Sequence, residues 1–306
     1  MERQLLGALE AGGTKMVCAT GYADGTVLER EEILGTVLER EEIPTTTPEE
    51  TMAAVVKWFE CKGVAALGVG AFGPTAVDPA SPRFGQILET PKTAWRYFDL
   101  LGSLAGPLGV PCGYDTDVNV ACLGEATFGV ARGLSDVVYL TIGTGVGAGV
   151  MVNGQLLHGM LHPEAGHILV TRDERDTIGE HSGCPYHDNC LEGLIAGPGV
   201  KLRWGGKRAS ELAEDEFAMD LLAGYLAQAL VTYTLCYSPK KIIIGGGVAD
   251  HTPIVQLARK KAAELLNGYI ATPEVADIDT YVVNNSLDGK QGVMGCLELA
   301  RQALEA

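Results

Sequence analysis

LLGALEAGGTKMVCATGY, residues 5–22, contains two apolar segments separated by a glycine pair. Gly12 and Gly13 stand at its centre, and glycine forms tight turns readily because it lacks a Cβ atom. The stretch therefore predicts two short β-strands joined by a glycine turn. Backbone N–H groups of such a turn can approach phosphate oxygens closely, although many glycine turns only connect strands.

Strand-length and helix-length segments alternate along the rest of the chain. Strands are predicted at 64–72, 136–142, 147–152 and 240–247. Helices are predicted at 47–61, 95–106, 118–132, 215–237, 253–268 and 291–304. This alternation predicts an α/β fold. A chain of 306 residues is long enough for one large domain or two ordinary ones.

A tandem repeat follows the first predicted strands. Residues 25–34 read GTVLEREEIL and residues 35–44 read GTVLEREEIP, so the copies differ only at their last position. Copies this similar indicate a recent duplication, and solenoid units are longer, about 20–50 residues. We expect the extra residues to form a longer hairpin or loop at the surface, without a function of their own.

The charge balance excludes several classes of partner. The chain has 39 acidic and 23 basic residues and a formal net charge of −16, which repels nucleic acid and anionic membranes. The N-terminal sequence MERQLLGALEAGG has too short an apolar stretch for a signal peptide, and no apolar run predicts a membrane-spanning helix. We therefore expect a cytoplasmic protein with neither nucleic-acid nor membrane partners.

Two further glycine-rich turns follow the first. They are TIGTGVGAG (141–149) and GGGV (245–248), and each follows or divides an apolar strand. None of the three turns matches the P-loop pattern or a dinucleotide fingerprint. Together they indicate a nucleotide that is contacted from several sides, although each turn alone is weak evidence.

An acidic pair lies in YDTDVNVACLGEA, residues 114–126. Asp115 and Asp117 precede Asn119 at a predicted helix start. Aspartate and asparagine are ordinary helix caps, so capping is one interpretation. The other is catalytic: a carboxylate that accepts the proton of a substrate hydroxyl, beside an amide that orients the substrate.

SGCPYHDNCLEGL, residues 182–194, places Cys184, His187 and Cys190 at equal spacings of three. This pattern is compatible with a disulfide loop, with a metal site, or with three side chains that are only close in sequence. The other cysteines lie scattered among apolar residues and are expected to be small buried hydrophobes, namely Cys18, Cys61, Cys112, Cys122, Cys236 and Cys296.

HPEAGH, residues 162–167, lies some fifteen residues before this stretch. Its glutamate and two histidines could bind a metal, bind a polyol or cap a turn. His181 is a rival metal ligand, whereas His158 and His162 are interpreted as structural or incidental.

The motifs occur in the order found in ROK-family sugar kinases, and the resemblance covers nearly the whole chain. It is carried by EAGGTK (10–15), AFGP (71–74), TPKTAW (90–95), TDVNVACLGE (116–125), TIGTGVGAG, HPEAGH, the Cys/His stretch and GGGV. Within that family the chain looks most similar to the bacterial zinc-containing fructokinases. The resemblance implies the actin-like ATPase (ribonuclease H-like) fold, with two α/β domains and a cleft between them. The implied domains are 1–118 plus 291–306, and 119–290 with a zinc-binding loop.

The resemblance also implies roles for individual residues. Asp117 would be the general base, and the implied sugar-binding residues are Gly73, Pro74, Asn119, Glu164 and Glu192. ATP with Mg²⁺ would be bound by Gly12, Gly13, Thr14, Lys15, Thr141, Gly143, Thr144, Pro198, Gly245, Gly246, Gly247 and Val248. A structural Zn²⁺ would be held by His167, Cys184, His187 and Cys190.

The activity that the resemblance implies is phosphorylation of D-fructose to fructose 6-phosphate by a homodimeric enzyme. Alternatives are a ROK hexokinase for glucose, mannose or an N-acetylated amino sugar, and a sugar-responsive ROK regulator. The regulator is disfavoured because the chain begins with a predicted strand rather than a helix-turn-helix and is strongly acidic. A zinc hydrolase is disfavoured because four protein ligands leave no open position on the metal.

Overall fold

The computed structural model describes residues 4–28, 31–179 and 181–306. The strands are β1 Leu6–Ala11, β2 Lys15–Leu28, β3 Glu31–Pro44, β4 Ala66–Ala71, β5 Cys112–Thr116, β6 Val137–Ile142, β7 Val146–Val152, β8 Gln155–Leu156, β9 Lys241–Gly245 and β10 Val282–Asn284. The helices are α1 Pro48–Glu60, α2 Gly102–Leu108, α3 Asp117–Phe128, α4 Leu191–Ile195, α5 Gly197–Arg203, α6 Glu216–Tyr237, α7 Gly247–Asp250, α8 Ile254–Leu266, α9 Pro273–Ala276, α10 Ile278–Tyr281 and α11 Gln291–Glu305. Strands and helices alternate, so the α/β prediction is confirmed.

The chain forms two compact units. The first comprises Met1–Gly133, Leu156–His162 and Ser286–Ala306, and the second comprises Leu134–Gln155 and Pro163–Asn285. The sequence prediction assigned residues 119–133, 156–162 and 286–290 to the second domain, whereas here they belong to the first unit. For residues 119–133 the reason is the close packing of α3 on α11: a Cβ atom on Gly295 would lie 1.7 Å from the Val120 carbonyl oxygen.

The first unit is built on a sheet with the strand order β3-β2-β1-β4-β5. The glycine turn makes β1 and β2 antiparallel neighbours, as predicted, and β4 lies parallel to β1 on its other side. Every residue of β4 is buried, which agrees with its nearly continuous apolar sequence. The C-terminal ends of β4 and β5 therefore lie side by side, next to the start of α3.

The tandem repeat lengthens the β2–β3 hairpin, in agreement with the expectation from the sequence. Residues 36–44 of the second copy pair with residues 15–22, whereas residues 31–34 of the first copy pair back onto 25–28. Residues 29 and 30 of the first copy lie outside the described residues. In the part of the β2–β3 hairpin that lies next to the rest of the sheet, β3 is therefore formed by the second copy.

The second unit repeats the same sheet plan, with the strand order β10-β9-β6-β7-β8. β6 pairs antiparallel with β7 across the TIGTGVGAG turn and parallel with β9 on its other side. Its core helix, α6, is the one helix among the described residues that is long and apolar enough to cross a membrane. Because 61% of its most apolar window is buried within the protein, α6 is interpreted as a core helix. The sequence prediction was that no long apolar run exists; α6 reaches the required length and mean hydropathy although Asp220 and Gln228 interrupt its apolar residues.

One predicted helix is mostly absent. Residues 95–106 were expected to be helical, but only a short 3₁₀ turn at Thr93–Trp95 and α2 form there. Tyr97 adopts φ 58°, which helical backbone does not allow. The Asp99 carboxylate instead accepts a hydrogen bond from the Gly102 N–H at the start of α2.

Candidate functional site

The first glycine turn connects β1 and β2 and leaves Thr14 and Lys15 exposed. The Gly12 N–H donates to the Lys15 carbonyl, and a Cβ atom on Gly12 would lie 2.6 Å from that oxygen. Glycine is therefore required at this position. The Lys15 ammonium pairs with the exposed Glu42 carboxylate at 2.6 Å. Exposed ion pairs contribute little to the free energy of folding, so Lys15 can leave Glu42 for another partner at little cost in stability.

Three of the predicted nucleotide-binding segments come together in the second unit. The Gly143 carbonyl at the β6–β7 turn accepts a hydrogen bond from the N–H of Gly197, which precedes Pro198. Gly246 has φ 93°, and a Cβ atom there would lie 2.8 Å from Thr141 Oγ1. Residues 141–144, 197–198 and 245–248 therefore form one loop cluster at the end of β6. Glycine at position 246 allows this close approach, since any Cβ atom there would clash with the Thr141 side chain and the β6 backbone.

The cap of α3 lies on Thr116, not on the acidic residues. Thr116 Oγ1 accepts a hydrogen bond from the Asn119 N–H at 3.1 Å. Asp117 is the first helical residue, and its carboxylate accepts a hydrogen bond from the Val118 N–H. The capping interpretation of Asp117 and Asn119 is therefore wrong, because the threonine performs that function.

Asp115 organises a buried polar cluster beside the start of α3. One of its oxygens accepts hydrogen bonds from the Thr116 N–H and from Asn119 Nδ2, each at 2.7 Å. The other oxygen lies 2.8 Å from His158 Nε2. The hydrogen bond to Asp115 raises the pKa of His158. Partial burial acts in the opposite direction, and the negative charge of Asp78 raises the pKa slightly further. His158, interpreted from the sequence as structural or incidental, thus has a specific partner in the fold.

The predicted sugar loop lies close to this cluster. Gly73 and Pro74 follow β4 and are joined by a cis peptide bond. The next residue, Thr75, forms a buried hydrogen bond with the hydroxyl of Tyr114, which directly precedes Asp115. The pKa of Tyr114 is raised by burial, so the hydroxyl stays protonated. The turn and the Asp115 cluster are therefore held on neighbouring strand ends.

The four predicted metal ligands come together in the second unit. The candidate donor atoms of His167, Cys184, His187 and Cys190 all lie within 4.8 Å of one another. Cys184 Sγ lies 3.8 Å from His167 Nδ1 and 3.7 Å from His187 Nδ1. Tetrahedral zinc with two sulfur and two nitrogen ligands places neighbouring ligand atoms about 3.3–3.8 Å apart. The two Cys184 distances fall in this range, and the two thiols and two imidazoles are the ligand types of a tetrahedral zinc site.

The rival interpretations of this stretch are not supported by the geometry. Cys184 and Cys190 are unbridged thiols, and both are buried. His181 is almost fully exposed and lies 3.5 Å from the Asp188 carboxylate instead. Burial raises the pKa of the Cys190 thiol to about 12. Because zinc binds thiolates, metal binding here would release protons and would weaken at low pH.

Glu192 and Glu164 both adjoin the cluster of metal ligands. Glu192 lies on α4, two residues after Cys190, and one of its oxygens accepts a hydrogen bond from the Val146 N–H at 2.9 Å. Its other oxygen lies 3.8 Å from His167 Nε2. Glu164 is exposed, and its carbonyl accepts the His167 N–H. A metal on His167 would thus fix the backbone and the side chain that present these carboxylates.

A buried ion pair behind α4 was missed by reasoning from the sequence. Arg203 and Asp176 form a hydrogen bond at 2.7 Å, and their side chains are 1% and 0% exposed. The Tyr225 hydroxyl donates to the same carboxylate, and Arg203 also donates to the Leu194 carbonyl at the end of α4. Burial acts to raise the pKa of Asp176, but these hydrogen bonds lower it below its usual value. No local pattern identifies this pairing, since its members lie up to 49 residues apart.

Comparison with known proteins places the chain in a family. A sequence model of the ROK family matches residues 6–303. A fructokinase from Pediococcus pentosaceus is 44% identical over 98% of this chain and 99% of its own length. A fructokinase from Zymomonas mobilis is 37% identical over 99% of this chain and 98% of its own length. The crystal structure of a ROK family glucokinase from Streptomyces griseus, in complex with glucose and AMPPNP, superposes with a TM-score of 0.73 at 23% identity, covering 98% of this chain and all of that one.

Proposed function

The chain belongs to the ROK family, and from that membership we propose that it transfers the γ-phosphoryl group of ATP to D-fructose, forming fructose 6-phosphate. Fold similarity to a ROK kinase supports the actin-like ATPase fold. Near-full-length identity to fructokinases supports the choice of sugar. The geometric observation that carries the proposal is the Asp117 carboxylate, which stands at the start of α3 beside the buried Asp115–Asn119 cluster but does not serve as the helix cap.

Asp117 is proposed as the general base. It would accept the proton of the attacking hydroxyl as the phosphoryl group arrives. The sugar would be held by the amide of Asn119, by the turn at Gly73 and Pro74, and by the carboxylates of Glu164 and Glu192. Carboxylates and amides suit this role because they accept or exchange hydrogen bonds with hydroxyl groups.

ATP is proposed to bind at the glycine turns. The proposed residues are Gly12, Gly13, Thr14, Lys15, Thr141, Gly143, Thr144, Pro198, Gly245, Gly246, Gly247 and Val248. The nucleotide analogue in the Streptomyces griseus glucokinase supports ATP as the donor. Mg²⁺ would offset the charge of the transferring phosphoryl group.

A structural zinc ion is proposed on His167, Cys184, His187 and Cys190. Four protein ligands complete a tetrahedral site and leave no position for a reactive water. The zinc would hold the loop that presents Glu164 and Glu192 to the sugar. The enzyme is proposed to act in the cytoplasm as a homodimer, as the family resemblance implies.

A coupled assay of ADP release over a panel of hexoses tests the proposal. We expect the highest kcat/KM with D-fructose, ahead of glucose, mannose and N-acetylated amino sugars. Removal of the base in Asp117→Asn should lower kcat by about 10²–10⁴-fold. The matched control is Asp279→Asn, which removes an exposed carboxylate on α10 and should leave turnover unchanged. Near-normal turnover of Asp117→Asn would refute the base, and a higher kcat/KM with another hexose would refute the substrate.

A further inference from the structure

His158 completes a set of three hydrogen bonds on a buried carboxylate. Asp115 is 3% exposed and receives donors from the Thr116 backbone, Asn119 and His158. The segment that carries His158 packs in the first unit, some forty residues along the chain from Asp115. This contact requires tertiary folding and serves no secondary-structure element, because neither partner caps a helix through it.

The chemistry of the carboxylate determines where the protons lie. An ionised carboxylate only accepts hydrogen bonds, so His158 Nε2 must carry the proton in its 2.8 Å contact with Asp115. The same nitrogen lies 3.4 Å from Asn119 Nδ2. Since Nε2 donates to Asp115, it cannot accept from Asn119. Asn119 Nδ2 is thus left with Asp115 as its acceptor, at 2.7 Å.

The orientation of the Asn119 amide follows from these bonds. Nδ2 must face Asp115, because an amide oxygen placed against a carboxylate would have no proton to share. Asn119 Oδ1 is therefore directed away from the carboxylate. It is buried and has no hydrogen-bond partner among the described residues. A buried acceptor without a donor is unfavourable unless a ligand supplies one.

We propose that His158 is a positioning residue for the sugar: by holding Asp115 it fixes Asn119 with its amide oxygen ready to accept a hydrogen bond from a sugar hydroxyl. The inference rests on the proposed sugar kinase activity. To that activity it adds His158, which sets the position of the Asn119 amide oxygen without contacting the sugar itself. It also assigns Asn119 Oδ1, rather than Nδ2, as the atom that contacts the ligand.

Two substitutions at His158 separate positioning from a structural role. His158→Leu removes the donor and leaves one Asp115 oxygen short of a partner. His158→Gln places an amide N–H close to the position of Nε2. With D-fructose we expect His158→Leu to raise KM for the sugar by about tenfold and His158→Gln to restore it to within about threefold. The KM for ATP and the kcat should change by less than about threefold, and His251→Leu, which removes an exposed imidazole, should match the wild type.

The outcomes distinguish this inference from the proposed function. A wild type that phosphorylates fructose, with a His158→Leu variant of unchanged sugar KM, overturns the positioning role and leaves the function intact. Equal increases in both KM values with a lowered Tm, not rescued by glutamine, likewise overturn it. If the wild type has no hexose kinase activity, both the proposed function and the positioning role of His158 are overturned. If His158→Leu does not fold, ¹⁵N NMR of the wild-type imidazole decides: Nε2 must be protonated and its signal must shift on addition of fructose.

Discussion

The two units share one sheet plan but complete their polar clusters differently. In the first, Asp115 is satisfied entirely by protein donors, including His158 and Asn119. In the second, His167 and Cys184 belong to a set of four donor atoms that converge on one another and fit a common cation. In the first cluster the Asp115 carboxylate has its three donors once the chain has folded. The second would be complete only with the proposed zinc bound, so the two units should respond differently to chelation, acid and substitution.

The largest expected effect is loss of zinc from the second unit. Cys184→Ser should lower bound zinc to well below one equivalent and cost several kcal/mol of unfolding free energy, about 10 °C in Tm. Elemental analysis and calorimetry measure the two quantities. The control is Cys236→Ser, outside the cluster, which should change neither. Its thiol is exposed, as is that of Cys61, so the expectation of burial is wrong for these two cysteines. Wild type purified without chelators and found free of zinc would contradict the proposed metal site.

Next in size is the buried pair behind α4. Arg203→Met leaves the Asp176 carboxylate buried without its partner and should cost about 3–5 kcal/mol. The double variant Asp176→Leu/Arg203→Met should recover part of this loss, since no charge is left unpaired. Urea unfolding measures both. A double variant no more stable than Arg203→Met alone would indicate that packing, not charge, dominates.

The same pair predicts a pH dependence with a definite sign. The pKa of Asp176 is lowered in the folded protein, so its pairing stabilises the fold fully above the ordinary aspartate pKa, about 3.9. That contribution is lost as the pH falls through the folded pKa. Below pH 4 the gap in stability between wild type and Arg203→Met should narrow. A gap that stays constant down to pH 2 would contradict this assignment.

In the first unit, the contact most sensitive to substitution is the one between α3 and α11. A methyl group at Gly295 would meet the Val120 backbone at 1.7 Å, so Gly295→Ala must separate α3 from α11 and should cost about 1–3 kcal/mol. Gly224→Ala, in α6 of the second unit, meets open space and should be neutral or stabilising by up to about 1 kcal/mol. Equal effects of the two substitutions on Tm would contradict the packing argument.

The smallest effect is expected at the tandem repeat. Deleting residues 25–34 removes the first copy and keeps the pairing of 36–44 with 15–22. Tm should change by less than about 2 °C, because the pairing that adjoins the rest of the sheet is retained. A Tm shift above about 5 °C would show that the first copy stabilises the sheet.

Local patterns in the sequence predicted much of this architecture. The α/β class, the glycine hairpin at Gly12 and the helix beginning at Pro48 follow from hydrophobic spacing and turn residues, which act over a few positions. The family resemblance, carried by motifs such as TDVNVACLGE and HPEAGH, is confirmed by the ROK match over residues 6–303. The site residues and their roles stay predictions that the proposed experiments test.

Other features were decided only by tertiary contacts. Thr116 rather than Asp117 caps α3, His158 meets Asp115, and Arg203 is buried against Asp176. The last two pairs join residues 43 and 27 positions apart, so no periodicity or spacing in the sequence indicates them. The sequence by itself determined the order of strands and turns and the motifs that mark the family. The folded chain decided which donor meets which acceptor, because hydrogen-bond partners are selected by distance in space.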